Sequence, residues 1–182
     1  MDNKNDTKVI LVDLYDNQVG VMEKMEAHRK ALLHRAISVF ICNTSGSWLL
    51  QRRALDKYHS KGLWTNACCS HPMPGESAME AAHRRLREEL GMKCHLESIF
   101  NFTYKEVVDE ELTEFEFDHV FLGVSDDLPV IDRNEVMEYK YITYDDLCED
   151  LQSAPKKYTV WFRKIFEEVR LHLNQFQLNV DK

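Results

Sequence analysis

At 182 residues, 44% hydrophobic and 30% charged, the chain matches one soluble globular domain with a core large enough to fold without disulfide staples. A formal net charge of −8 excludes a general nucleic-acid surface, so any anionic ligand must be gripped by a local basic cluster. Five cysteines (Cys42, Cys68, Cys69, Cys94, Cys148) without framework spacing, a polar start and a first apolar run, VILV, too short for a membrane span point to a cytoplasmic protein with free thiols and no membrane partner.

In chain order, KVILVDLYDNQVGV reads as a strand, a turn at Asp16-Asn17 and a second short strand. RAISVFICN, TSGS and WLLQRR read as a hairpin, followed by a charged, irregular loop, ALDKYHSKGLW, long enough to be functional. ESAMEAAHRRLREELG is the best helix: Ser77 and Glu80 make a capping box, and Ala78, Ala81, Ala82, Leu86 and Leu90 form an apolar stripe. Gly91 is placed to end it. LESIFNFTYKEVV and LTEFEFDHVFLGV flank an acidic DEE turn as a long hairpin, and EYKYI is a late strand. TYDDLCEDL and YTVWFRKIFEEVRLHL close the chain as a short and a longer helix. This order predicts an α+β fold: a mixed β-sheet flanked by helices, in a single domain over 1–182 with its core at about 8–175. The C-terminal helix, with Phe162, Ile165, Phe166 and Val169, is expected to cover the core, and the protein is expected to be a monomer.

Two stretches carry chemistry. In WTNACCSHP (64–72), alternation along an extended segment puts Cys69 and His71 on one face and Cys68 on the other. A disulfide between such neighbours would be strained, so Cys69 can share a site with His71 while Cys68 packs. The second stretch, SHPMPGESAMEAAHRRLREELGM, resembles the Nudix box, G-x5-E-x7-R-E-U-x-E-E-x-G-U with U aliphatic. Glu76, Arg84, Leu86, Glu88, Glu89, Gly91 and Met92 match it, whereas Ser70 replaces the first glycine and Arg85 replaces the glutamate after the arginine. A cation at that position weakens a hydrolase reading, and the same charges also suit a solvated helix face, Arg85 and Glu89 being i,i+4 neighbours. His28, His34 and His71, with Glu114 and Glu116 on one face of a strand, would suit a five- or six-coordinate divalent ion. Taken singly, each histidine fits an ordinary surface or core position better than a ligand position. His59, His83, His95, His119 and His172 are assigned to such positions.

Together, WTNACCSHP, the altered Nudix helix, HRAISVF and the E-x-E strand resemble the type I isopentenyl-diphosphate isomerases, over about residues 24–161. The resemblance implies an α/β/α Nudix-type sandwich and interconversion of isopentenyl and dimethylallyl diphosphates with divalent metal and no organic cofactor. It assigns His28, His34, His71, Glu114 and Glu116 to the main metal (Mn2+, Mg2+ or Zn2+). Cys69 and Glu116 become acid/base residues on opposite faces of the substrate, with Tyr104 in the relay at Glu116. Glu89 would hold a second metal, Mg2+, bridging to the diphosphate; Lys24, Arg53, Lys57 and Arg85 would grip phosphate oxygens, and Trp161 would lie over the hydrocarbon end. Where the family often has a proline before that tryptophan, this chain has Val160. Two rivals remain at this level: a Nudix diphosphohydrolase, which would not need Cys69 or Tyr104, and a non-catalytic metal or prenyl-diphosphate sensor.

Overall fold

Strand β3 (His34–Cys42) organises the molecule because three of its neighbours come from distant parts of the chain. The computed structural model describes residues 8–57, 59–109, 111–166, 168, 169 and 172; the polar start, Glu110 of the acidic turn and the far end of the C-terminal helix lie outside them. Along β3 runs a parallel partner, β8 (Leu112–Val124), in register from His34↔Glu116 to Cys42↔Val124. The short β6 (Cys68–Ser70) pairs with β3 antiparallel, setting Ser38 opposite Cys69. β1 (Lys8–Val12) joins β3 at Leu11↔His34 and forms the expected hairpin with β2 (Gln18–Glu23); Asp16, at φ +64°, makes its turn.

The second expected hairpin forms at its turn, but β3 and β4 (Trp48–Arg53) pair antiparallel only at Cys42↔Trp48 and then part. β4 instead takes β9 (Val136–Ile142) and the two-residue β5 (Trp64–Thr65), both antiparallel. The reason lies in the apolar run of β3. Ile37, Val39 and Ile41 enter one core and Phe40 and Cys42 the other, and a strand buried on both faces is best satisfied by partners from elsewhere in the chain. The long hairpin of β7 (Leu96–Asp109) and β8 is as expected, with Tyr104 directly opposite Glu116. The described residues thus make one nine-stranded mixed sheet.

Helices cover both faces, the α/β/α arrangement expected. Helix α2 (Ala78–Leu90) has its full capping box and ends at Gly91, φ +64°, a left-handed conformation suited to glycine. Its buried Ala81, Ala82, Leu86 and Leu90 pack on Ile37, Val39, Ile41 and Phe121. On the other face, α3 (Tyr144–Ser153) and helix α4 (160–166) seat Leu147, Phe162, Ile165 and Phe166 against Phe40, Trp48 and Leu122. One short helix was not predicted: α1 (Lys24–Arg29), whose first turn is capped by the Glu23 carboxylate accepting from Met25 N and Glu26 N. Leu86 is fully buried where α2 meets the sheet. Leu86→Ala should therefore cost about 2–5 kcal/mol, read as a lowered urea midpoint at unchanged slope.

Candidate active site and metal centre

Strand alternation builds one wall of the site. Glu114, Glu116 and Asp118 leave β8 on the same buried face, while Phe115, Phe117 and His119 leave the other. Helix α1 brings Lys24 and His28 onto one helical face, Ala31 (φ +50°) turns the chain back, and His34 opens β3 directly opposite Glu116. His71 follows β6. One ligand atom from each of His28, His34, His71, Glu114 and Glu116 lies within 4.8 Å of all the others, so these five form a group that could hold a metal ion. Ring centroids stand 4.7 Å (His28–His34), 5.0 Å (His34–His71) and 5.5 Å (His28–His71) apart.

The donor chemistry fits a divalent cation. Nδ1–H of His28 donates to Lys24 O at 2.7 Å and that of His34 to Leu32 O at 2.8 Å, which aims both Nε2 atoms into the group. His34 Nε2 is buried and makes no hydrogen bond among the described residues; Glu116 Oε1 stands 3.7 Å from it. Burial, then the charge of His28, pushes His34 down to about 4, and burial drives His71 well below the usual imidazole range, so both are neutral donors at pH 7. Burial would raise Glu114, but hydrogen bonds from His28 and His59 outweigh it and hold Glu114 well below the ordinary carboxylate range. Burial and the Glu114 charge push Glu116 well up. Three imidazoles and two carboxyls facing one another in a dry site are a donor set that suits a divalent cation.

Cys69, Tyr104 and Trp161 meet around one small cavity with Glu116, His71 and Arg53. Tyr104 O–H donates to Glu116 Oε2 at 2.5 Å, and burial followed by the Glu116 charge keeps that phenol protonated. The Cys69 thiol donates to Asn66 Oδ1 at 2.9 Å and accepts from Trp161 Nε1 at 3.0 Å. Thr159, whose N–H donates to Trp64 O at 2.9 Å, ties down the start of α4. The predicted separation of the cysteines holds: Cys68 is fully buried in the core under α2, and Cys69 packs toward the opposite one. Cys68 also does more than pack, since its thiol donates to Glu89 Oε1 at 3.4 Å.

Of the predicted phosphate-gripping residues, Lys24, Lys57 and Arg85 draw together closely enough to repel. Burial, then the charge of Lys57, lowers Lys24 to about 8, with Arg85 adding to the effect. Lys57 pairs with Glu135, which also faces Arg85 at 3.4 Å. Arg53 sits apart from them, its guanidinium 5.4 Å from the centre of the Trp161 ring. Glu89 stands outside the five-residue group: Arg85 Nη2 donates to its Oε1 at 2.7 Å and Gln51 Nε2 to its Oε2 at 2.8 Å. Glu76 and Arg84 of the Nudix-like stretch form a two-pronged pair at 2.7 and 2.8 Å that fixes the loop before α2.

Sequence reasoning missed two residues here. His59, assigned to an ordinary position, is 2% exposed with Nε2 2.5 Å from Glu114 Oε1. Asp118, the next member of the E-x-E alternation, accepts from Ser38 Oγ at 2.7 Å, and burial pushes it up to about 8. The period-two pattern could have found Asp118; no local signal marks His59.

Burial, then the Asp118 charge, pushes the Cys69 thiol up to about 12. In the metal-free protein at pH 8.5, iodoacetamide should label Cys69 at least ~100-fold more slowly than a small thiol of pKa about 8.5, counted by peptide mass. Labelling at the small-thiol rate would mean that a thiolate is present instead.

The NUDIX domain family model matches residues 32–171. Among solved structures, a protein of Deinococcus radiodurans superposes with TM-score 0.66 at 20% identity, covering 81% of this chain and 90% of that one. A MutT protein of Methanosarcina mazei superposes at 0.63 and 21%, covering 77% and 94%. These two show the fold alone. The isopentenyl-diphosphate Delta-isomerase of Pectobacterium atrosepticum is 49% identical over 163 residues, 90% of this chain and 91% of that protein. Isopentenyl-diphosphate Delta-isomerase 2 of Photorhabdus laumondii is 47% identical over 160 residues, 88% and 90% of the respective chains. With the Nudix fold, its altered helix and this degree of identity along nearly the full length of such relatives, the chain belongs to the isopentenyl-diphosphate Delta-isomerase family of the Nudix superfamily.

Proposed function

We propose that this protein interconverts isopentenyl and dimethylallyl diphosphates, with Cys69 and the Glu116–Tyr104 pair as the two proton-transfer groups. The observation that carries the reading is the shared cavity: a protonated thiol from β6 and a raised carboxyl from β8 border one small space. Moving a double bond by one carbon adds a proton at one carbon and removes one from another. An alkene is a poor base, and its protonation makes a tertiary carbocation that water would trap. Two groups of raised proton affinity around one cavity suit this: one gives its proton to the alkene while the other, deprotonated, takes one from the neighbouring carbon. Trp161 lends its ring face to the developing positive charge, worth about 2 kcal/mol when desolvated. Tyr104, hydrogen-bonded to Glu116, fixes that carboxyl and can pass its proton onward.

His28, His34, His71, Glu114 and Glu116 would hold Mn2+, Mg2+ or Zn2+, which when bound supplies a fixed charge that sets the acidity and position of Glu116. Glu89, beside Arg85, would hold Mg2+ arriving with the diphosphate, and Lys24, Arg53, Lys57 and Arg85 would bind its oxygens. Arg85 also speaks against the diphosphohydrolase. Where hydrolysis would call for a further carboxylate, its guanidinium neutralises Glu88 and Glu89 at 2.7 Å each.

Purified protein with Mg2+ and isopentenyl diphosphate in D2O should incorporate deuterium and form dimethylallyl diphosphate; phosphate release or no turnover would sink the proposal. Cys69→Ala should lower kcat by about 10²–10⁴-fold, the range for a general acid/base group. Cys68→Ala should act on stability instead, by about 1 kcal/mol for its hydrogen bond. Equal loss of turnover in both variants would overturn the assignment of faces.

A further inference from the structure

His59 lies on the irregular segment between β4 and β5, outside the five-residue metal group, yet it touches three parts of the site. Its ring is 2% exposed, and Nε2 reaches Glu114 Oε1 at 2.5 Å. Its ring edge meets the Trp161 ring, centroids 5.8 Å apart at 87°. Its backbone carbonyl accepts from Arg53 Nη2 at 3.2 Å. The other ring nitrogen, Nδ1, lies 3.0 Å from Ser60 Oγ. Ser60 sits at φ +50°, a left-handed conformation rare for a residue with a side chain, so the segment is held in shape here by its surroundings.

With Ser60 Oγ–H donating to Nδ1, the neutral ring carries its proton on Nε2, which stands 2.5 Å from Glu114 Oε1. The other Glu114 oxygen, Oε2, then points to His28 Nε2 at 3.1 Å, inside the metal group. A carboxylate free to rotate would present either oxygen, or both. One held by a buried donor presents a single oxygen in a single direction, which is how outer partners raise the affinity of a metal ligand.

We propose that His59 is a positioning residue for the metal group, its Nε2–H holding Glu114 Oε1 so that Oε2 faces His28 and the cation. Lys57, two residues earlier on the same segment, belongs to the proposed diphosphate grip, so the segment that receives the substrate also sets a metal ligand. The inference rests on the isomerase reading only in expecting a cation at this group.

The test is metal binding. Wild-type protein stripped with a chelator is titrated with Co2+, whose visible bands report imidazole and carboxylate ligation. His59→Phe, which keeps an aromatic ring against Trp161 without the donor, should weaken Co2+ binding by about 10–100-fold. His59→Gln, which returns an N–H donor, should recover at least a third of that loss on a logarithmic scale. Melting temperatures of the metal-free variants check that both are folded. Should His59→Phe not fold, Ser60→Ala, which frees only the ring's orientation, should still weaken Co2+ binding several-fold. An unchanged affinity and spectrum in His59→Phe, or in Ser60→Ala where that variant stands in, overturns the proposal, as does a glutamine variant no tighter than the phenylalanine one. Wild-type protein that binds Co2+ but leaves isopentenyl diphosphate unchanged overturns the isomerase reading and leaves this one standing.

Discussion

Everything in this molecule is arranged around the cost of burying Glu114 and Glu116 side by side. Two carboxylates spaced i,i+2 on one strand face cannot both stay charged in a dry interior unless positive charge or donated protons meet them. The parallel pairing of β3 with β8 delivers His34 opposite Glu116, and the β7 hairpin delivers Tyr104 to the same residue from the other side. Helix α1 adds His28, and the chain leaving β6 adds His71. The sheet order is therefore the means by which four other segments reach one pair of acids. Two segments close in sequence, β3 and β4, part because β3 is committed to that task.

The same burial sets the acid/base chemistry. Without burial, Cys69 and Glu116 would titrate near about 8.5 and 4.3 and could not both be acids at neutral pH. Burial raises both, and Glu114 raises Glu116 further. Glu114 is spared the same fate because two imidazoles donate to it. One strand thus presents neighbouring carboxyls of opposite character, one fit to ligate and one fit to carry a proton, and the difference comes from their neighbours alone.

Much of this was legible in the sequence because its signals are local. The α2 caps, the E-x-E alternation and the opposite faces of Cys68 and Cys69 follow from helical and strand geometry within a few residues. The splaying of β3 from β4 was not legible, since TSGS between two apolar runs is a sound local hairpin signal and only the distant β8 and β9 override it. His59 was hidden for a related reason. A histidine in a charged, irregular loop resembles any surface histidine, and its partner is a glutamate far along the chain that only the fold brings to it. The Glu89 network was half visible: Arg85 is its i,i+4 neighbour, but Gln51 and Cys68 come from other strands.

In the proposed reading, the cations resolve the tension between an acidic chain and an anionic substrate. Burial, then the charge of Lys57 with Arg85 adding to it, lowers Lys24 to about 8, so these three cations sit together against their ordinary preference for separation. Glu135 lies between Lys57 and Arg85 and lessens that repulsion, as a diphosphate would. A cluster held together by its own carboxylate does not scatter before substrate arrives, so the local field is preorganised rather than assembled on binding. On a chain of net charge −8, this cluster beside the metal group is a local positive field for the proposed diphosphate.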